Sequence, residues 1–84
     1  MRCFFHLIGH NRMVLDEEGA FVDDLEDAQR EATTTIEALL EDSVHSGADW
    51  RGWRLEICDQ SGRKYAELYL DQFRVPNRMD AHGR

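Results

Sequence analysis

Proline, cysteine and long apolar runs are scarce in this sequence, and each shortage excludes a class of protein. A single proline and six glycines exclude a fibrous or low-complexity chain. Two cysteines, Cys3 and Cys58, are too few for the disulfide framework of a small secreted domain, so we expect both to be reduced and half-buried in strands. No run reaches the roughly 20 apolar residues of a membrane-spanning helix, and the opening MRCFFHLIGH is too polar for a secretory signal. We therefore expect a cytoplasmic protein with no membrane partner.

Basic residues are also scarce. Ten Lys and Arg against seventeen Asp and Glu give a net charge of −7, which opposes contact with a phosphate backbone, so we do not expect nucleic acid as a partner. The acids are concentrated, because positions 16–42 hold eleven acids and one base, Arg30. Such a segment suits a basic protein partner. The candidate residues for that contact are Asp16, Glu17, Glu18, Glu31 and Glu41.

The size of the chain sets its domain organisation. A chain of 84 residues, 42% of them hydrophobic, can build one thin-walled core. We expect a single α+β domain over residues 1–75. The polar ending after Pro76 has no periodicity, which predicts a flexible C-terminal tail over residues 76–84.

The clearest element is a helix over residues 25–46. Apolar residues recur there at spacings of three and four, which lays one stripe along a 3.6-residue period. Asp23 or Asp24 is suited to cap the N-terminus, and Gly47 is suited to end the helix. The stripe consists of Leu25, Ala28, Ala32, Ile36, Leu39, Leu40 and Val44.

Two hairpins flank the predicted helix. Residues 2–8 form the first strand, and residues 13–15 and 20–22 form a second extended stretch that is interrupted by Asp16-Glu17-Glu18-Gly19. Both faces of the first strand are apolar enough to be buried, and we expect Phe5 and Leu7 to face the core.

The second hairpin follows from matching apolar with apolar residues. Setting Ile57 opposite Ala66 leaves Ser61-Gly62 as a two-residue turn. The same register pairs Arg54 with Tyr69, Glu56 with Glu67 and Cys58 with Tyr65. The pair of glutamates is unfavourable unless a cation neutralises it.

These elements predict a two-layer α+β fold of order ββαββ, with one long helix on one face of an antiparallel sheet. Because one helix covers one face, the other face carries aromatic rings interleaved with charges. Tyrosine and arginine are enriched at interfaces, so we predict a homodimer or higher homo-oligomer that associates through this face. The alternative is that the rings only support a solvated sheet. The predicted interface residues are Phe4, His6, Arg54, Tyr65 and Tyr69.

Metal-binding and stacking motifs are weak. Cys3, His6 and His10 resemble a metal site by spacing, but residues three apart on a strand point to opposite faces, so we expect no metal there. Trp50 and Trp53 flank Arg51-Gly52 and could form a stacking platform for bases, which would need a positive groove beside it. We expect instead that Trp53 anchors the core and that Trp50 partly covers it.

Catalytic motifs are weak as well. Glu56 and Glu67 could act as an acid and base couple if one carboxyl raised the pKa of the other. Arg54 or Lys64 nearby favours a plain exposed pair instead. We therefore predict no catalytic residue, no cofactor and no enzymatic activity.

Several short motifs stand in order along residues 3–70. They are Phe4-Phe5-His6-Leu7, Asp16-Glu17-Glu18-Gly19, Asp24-Leu25 with Ala28, Glu31 and Ala32, Trp53-Arg54-Leu55-Glu56-Ile57, and Asp59-Gln60-Ser61-Gly62-Arg63. Together they resemble a family of small bacterial proteins classified as a domain of unknown function. This resemblance supports the order of elements and supplies no catalytic residue.

A looser similarity concerns the start of the helix. Two strands followed by Asp24-Leu25, Ala28 and Ala32 at the start of an acidic helix look like antitoxins of small bacterial toxin–antitoxin pairs with a partial ribonuclease-H-like fold. That similarity implies neutralisation of a basic partner. We predict a non-enzymatic interaction or regulatory module that self-associates; the alternatives are the antitoxin-like role and, less favoured, binding of a small ligand.

Overall fold

A computed structural model describes residues 1–47 and 49–73 of the chain. It confirms the α+β prediction, with one helix and an antiparallel sheet. The predicted tail over residues 76–84 lies outside the described residues. The elements are β1 (Arg2–Ile8), β2 (Met13–Val14), β3 (Ala20–Phe21), α1 (Leu25–Ser46), β4 (Arg54–Cys58), β5 (Lys64–Tyr69) and a 3-10 turn (Leu70–Gln72).

The sheet is built around β1. Its strand order is β2-β1-β4-β5, and β3 also pairs with β1. Leu7 lies opposite Val14 of β2, a register that would put position 18 opposite Cys3 if the strand were continuous. Cys3 lies instead opposite Ala20 of β3, so two extra residues loop out between β2 and β3. The predicted interruption of the second strand is therefore real, and its position is the acidic Asp16–Gly19 segment.

The helix covers one face of the sheet, and its ends are capped as the sequence predicts. Asp24 is the N-cap, since its Oδ1 accepts a hydrogen bond of 2.8 Å from the Asp27 backbone N–H. Gly47 adopts a left-handed conformation with φ of 76°, and its N–H donates to the Ser43 carbonyl. The described core consists of Cys3, Val22, Ala28, Ala32, Ile36, Leu40, Leu55, Ile57 and Leu70, with Phe5, Leu7, Leu39, Trp50 and Trp53 among the side chains packed against it.

The predicted apolar stripe is wrong at both ends. Leu25 is 37% exposed and Val44 is 59% exposed, whereas Ile36 is fully buried. Each step of four residues advances a helix by about 400°, or about 40° beyond a full turn, so a series of such steps rotates away from the sheet. The series from Ala28 to Val44 contains four steps. Leu39, three residues after Ile36, returns toward the sheet and packs against the core.

The burial of individual side chains shows which face of β1 is directed toward the core and how far the two cysteines are enclosed. Phe5 and Leu7 pack against the core on the helix side, as predicted. Cys3 and Cys58 are free thiols, and both are buried rather than half-buried, with 0% and 6% of their surface exposed. Burial raises the pKa of both thiols. Neither thiol is therefore activated as a nucleophile.

The packing of α1 on the sheet is tested by Ile36→Ala. Ile36 is fully buried in the core, so its truncation leaves a cavity and is expected to lower the free energy of unfolding by about 2–5 kcal/mol. Thr34→Ala on the exposed side of α1 is the control, expected to raise it by no more than about 0.7 kcal/mol because alanine is the better helix former. Urea unfolding followed by circular dichroism measures both values. Equal stability of the two variants would contradict this placement of the helix.

Candidate functional site

The face of the sheet opposite the helix carries the predicted interface residues. Alternation along each strand places these side chains together, and we call this surface the open face. It consists of Phe4, His6 and Ile8 from β1, Arg54, Glu56 and Cys58 from β4, and Tyr65, Glu67 and Tyr69 from β5. Lys64 also reaches it. All five predicted interface residues, Phe4, His6, Arg54, Tyr65 and Tyr69, therefore belong to one surface.

The centre of the open face is a neutral network of two acids and two bases. Glu56 lies opposite Glu67, as the predicted register requires. Arg54 Nε is 2.8 Å from Glu56 Oε2 and 3.7 Å from Glu67 Oε1. Lys64 Nζ is 2.8 Å from Glu67 Oε1 and 3.7 Å from Glu56 Oε2. Each base therefore contacts both acids, and the predicted repulsion between the two carboxylates is offset.

This network does not have the electrostatics of an acid–base couple. The hydrogen bond from Lys64 Nζ lowers the pKa of the Glu67 carboxyl, whereas a proton-donating carboxyl needs a raised pKa. Tyr69 contributes a further hydrogen bond, because its hydroxyl donates to Glu67 Oε2 at 3.2 Å. The arrangement instead keeps Glu67 ionised and fixes the side chains around it.

Lys64 reaches the network because of a β-bulge that the sequence reasoning missed. Ile57 lies opposite Ala66, as predicted, but Cys58 lies opposite Lys64 rather than Tyr65. The register shift leaves Tyr65 as the extra residue of β5. Without this bulge, alternation along β5 would place the Lys64 side chain on the helix side with Ala66.

The turn that precedes the bulge explains the shift. The Asp59 N–H donates to the Arg63 carbonyl, and the Gly62 N–H donates to the Asp59 carbonyl. The connection therefore has three residues, Gln60 to Gly62, and not the predicted two. Gly62 has φ of 91°, and the Asp59 carboxylate accepts from the Ser61 and Arg63 N–H groups. Aspartate followed by a glycine three residues later is the sequence signal for this turn.

Aromatic rings flank the charged network. Tyr65 and Tyr69 are 38% and 37% exposed at the edge of the sheet. Phe4 and His6 are half-buried, and their rings stack with centroids 6.4 Å apart. The open face therefore combines exposed aromatic surface with charges that are already paired.

A second aromatic group lies at the β3 end of the sheet, and the sequence reasoning did not find it. The Arg2 guanidinium carbon is 5.4 Å from the Phe4 ring centroid and 5.6 Å from that of Phe21. Arg2 also donates to the Glu18 carbonyl. Phe21 is nevertheless 81% exposed. The cation–π contacts extend the aromatic surface beyond the predicted residues.

Asp16 has a structural role at the interruption between β2 and β3. Its Oδ2 accepts from the Phe5 N–H at 3.2 Å, in place of a partner strand, and its Oδ1 accepts from Glu18 and Gly19. Its own N–H donates to His6 Nδ1 at 3.0 Å. Burial raises the pKa of the Asp16 carboxyl, but these backbone hydrogen bonds lower it, and the balance leaves it below its usual value.

The acidic residues predicted to contact a basic partner therefore differ in how accessible their carboxylates are. The Asp16 carboxylate is engaged by three backbone N–H groups. Glu17, Glu18 and Glu31 are exposed, and Glu41 is half-buried. Glu31 and Glu41 are ten residues apart on α1, which separates them by about 15 Å along the axis. These residues do not form one compact cluster.

The described residues offer neither a metal site nor a membrane-spanning helix. Within residues 1–47 and 49–73, no three His, Cys, Asp or Glu side chains are grouped to hold a metal ion. Cys3 packs in the core on the helix side, whereas His6 lies on the open face, as the strand geometry predicts. Among the helices of the described part of the chain, none has the length and apolarity needed to cross a membrane.

The family comparison matches this architecture. A family model described as a domain of unknown function, DUF6894, matches residues 2–71, which include all the strands and the helix that the structure describes. The chain belongs to the DUF6894 family. This confirms the resemblance to an uncharacterised domain family. Searches of curated proteins and of solved structures return no match.

The role of Asp16 in this DUF6894 domain is tested by Asp16→Asn. The amide has one acceptor oxygen, so at least one backbone donor loses its partner, and the free energy of unfolding at pH 7 should fall by about 1–3 kcal/mol. Glu17→Gln, an exposed neighbour, is the control and should change it by less than about 0.5 kcal/mol.

The same variant tests the pH dependence. A folded-state pKa below the unfolded value of about 3.9 stabilises the fold above that pH, and the contribution is lost as pH falls through the folded pKa. The stability difference between wild type and Asp16→Asn should therefore shrink below about pH 4, measured by urea unfolding at several pH values. A difference that does not change with pH would exclude a role for the ionised carboxylate.

Proposed function

We propose that this DUF6894 protein is a non-enzymatic interaction module that self-associates, with a second copy of the chain docked on the open face. The observation that supports the proposal is the neutral network at the centre of this face. Arg54 and Lys64 balance Glu56 and Glu67 there, in a protein with a net charge of −7.

Charge favours the open face over the helix as the contact between copies. The helix carries six acids and one base, Arg30, a net of −5, so two helices facing each other repel. The four charges of the open-face network sum to zero. A face that carries both positive and negative charges can be complementary to itself across a two-fold axis, because Arg54 of one copy can meet Glu67 of the other copy.

The composition of the open face also favours association. Tyrosine and arginine are enriched in interfaces, and paired charges can be buried with less loss than unpaired ones. The face is formed by only three strands of five to seven residues, which is small for a stable interface. We therefore expect a weak dimer whose population rises with concentration in the micromolar range.

A basic protein is the second candidate partner. The acids of α1 and the exposed Glu17 and Glu18 support it, because they remain outside the open face. This is the antitoxin-like role, and it does not require self-association. A wild-type protein that is monomeric at all concentrations would favour it over the dimer.

The self-association proposal is tested by Tyr69→Glu. The substitution adds a negative charge beside Glu67 on the open face, and we expect the light-scattering mass to fall from that of a dimer to that of a monomer. Thr34→Glu adds the same charge on the exposed side of the helix and should leave the mass of the dimer unchanged. Circular dichroism checks that both variants fold. A mass that is the same in both variants would exclude the open face as the interface.

A further inference from the structure

A cleft lies at one end of the sheet, on the helix side, between the turn after β1 and the segment after α1. Its volume is about 460 Å³, within the range of small-molecule sites. Leu7, Trp50 and Trp53 form apolar walls, and His10, Arg12 and Asp49 are among the polar groups around them. Apolar walls with a few polar groups are typical of sites that orient a small ligand.

The walls are held by two interlocking turns. The Gly9 N–H donates to the Arg12 carbonyl at 2.8 Å, and the Trp53 N–H donates to the Trp50 carbonyl at 3.1 Å. A methyl group at position 9 would lie 2.6 Å from two carbons of the Trp53 ring, so this ring packs directly on glycine. The His10 ring contacts Gly52 in the same way from the other turn. The cleft is therefore preformed, which lowers the entropy cost of binding.

The two tryptophans give the cleft an aromatic character. Their rings meet edge to face, with centroids 5.3 Å apart and an angle of 80°. Both side chains pack against the core, as the sequence predicted, and at the same time line the cleft. A flat ring system makes favourable stacked or edge-on contacts with walls of this kind.

Trp50 also carries an unused hydrogen-bond donor. Its indole Nε1 is buried and has no acceptor among the residues that the structure describes. An unpaired buried donor is costly, so a ligand acceptor that reaches Trp50 Nε1 from the cleft would be favourable.

The charges around the cleft favour an acceptor that is negative. Asp49 is neutralised by Arg51, whose Nη2 is 2.8 Å from Asp49 Oδ2, and these hydrogen bonds lower the pKa of the Asp49 carboxyl to about 2. Arg12 is exposed, and no carboxylate in the described part of the chain forms an ion pair with it. Among the described residues that line the cleft, Arg12 is therefore a cation that a ligand can pair with.

We propose that this cleft binds a small planar aromatic carboxylate of one or two rings. The Trp50 and Trp53 rings hold the aromatic part, Arg12 pairs with the carboxylate, and the Trp50 N–H donates to one of its oxygens. This site is separate from the open face and does not depend on self-association.

The test uses 2-naphthoate and its uncharged analogue 2-naphthamide, titrated into the full chain. Because the chain has only two tryptophans, its NMR spectrum has two indole N–H signals, and naphthoate should shift the Trp50 signal downfield in a saturable way. Calorimetry should show 2-naphthamide binding about threefold to tenfold more weakly than 2-naphthoate.

Three variants decide whether the named side chains form the site. Arg12→Gln should remove the preference for naphthoate over naphthamide, whereas Arg63→Gln, an arginine in the distant β4–β5 turn, should keep it. Trp50→Phe keeps an aromatic ring without the N–H and should weaken naphthoate binding about threefold. No saturable binding at millimolar naphthoate, or binding that neither Arg12→Gln nor Trp50→Phe alters, would overturn the proposal. The same titration with Tyr69→Glu should give wild-type affinity, so its outcome is independent of the dimer experiment.

Discussion

The packing of one helix against one face of the sheet is the constraint on which the rest of the structure depends. Ala28, Ala32 and Ile36 lose all their exposed surface in this contact, and small alanines let α1 approach the strands closely. Residues 1–47 and 49–73 contain no second α-helix to cover the other face. The open face must therefore satisfy its own polar groups. The paired charges of Arg54, Glu56 and their neighbours on β5 are how this sequence does so.

Much of this arrangement could be predicted from the sequence, because it follows from local rules. Helix caps at Asp24 and Gly47 depend on side chains within a few residues, and the pairing of Ile57 with Ala66 depends on matching apolar positions. These patterns repeat with the period of the element itself. The side chains predicted to share the open face do so for the same reason, since alternation along a strand decides which side chains share a surface.

The features that could not be predicted are a β-bulge and a hydrogen bond between residues distant in sequence. Neither follows from the periodicity of a strand or helix. The bulge at Tyr65 comes from the three-residue turn before it, and one extra residue reverses the side on which Lys64 lies. The role of Asp16 depends on the Phe5 N–H, eleven residues away in sequence and adjacent only in the folded sheet. A carboxylate in an acidic run is easily interpreted as surface charge, because its backbone partners are visible only in three dimensions.

Strand β1 contributes side chains to both the cleft and the open face. Adjacent residues on a strand point to opposite faces, so Leu7 lines the cleft while Ile8 lies on the open face. β1 thus contributes to both surfaces without sharing a side chain between them. A copy docked on the open face and a ligand in the cleft would be separated by the sheet itself. Coupling between them would have to pass through the backbone of β1 or through the turn that holds His10 against Gly52.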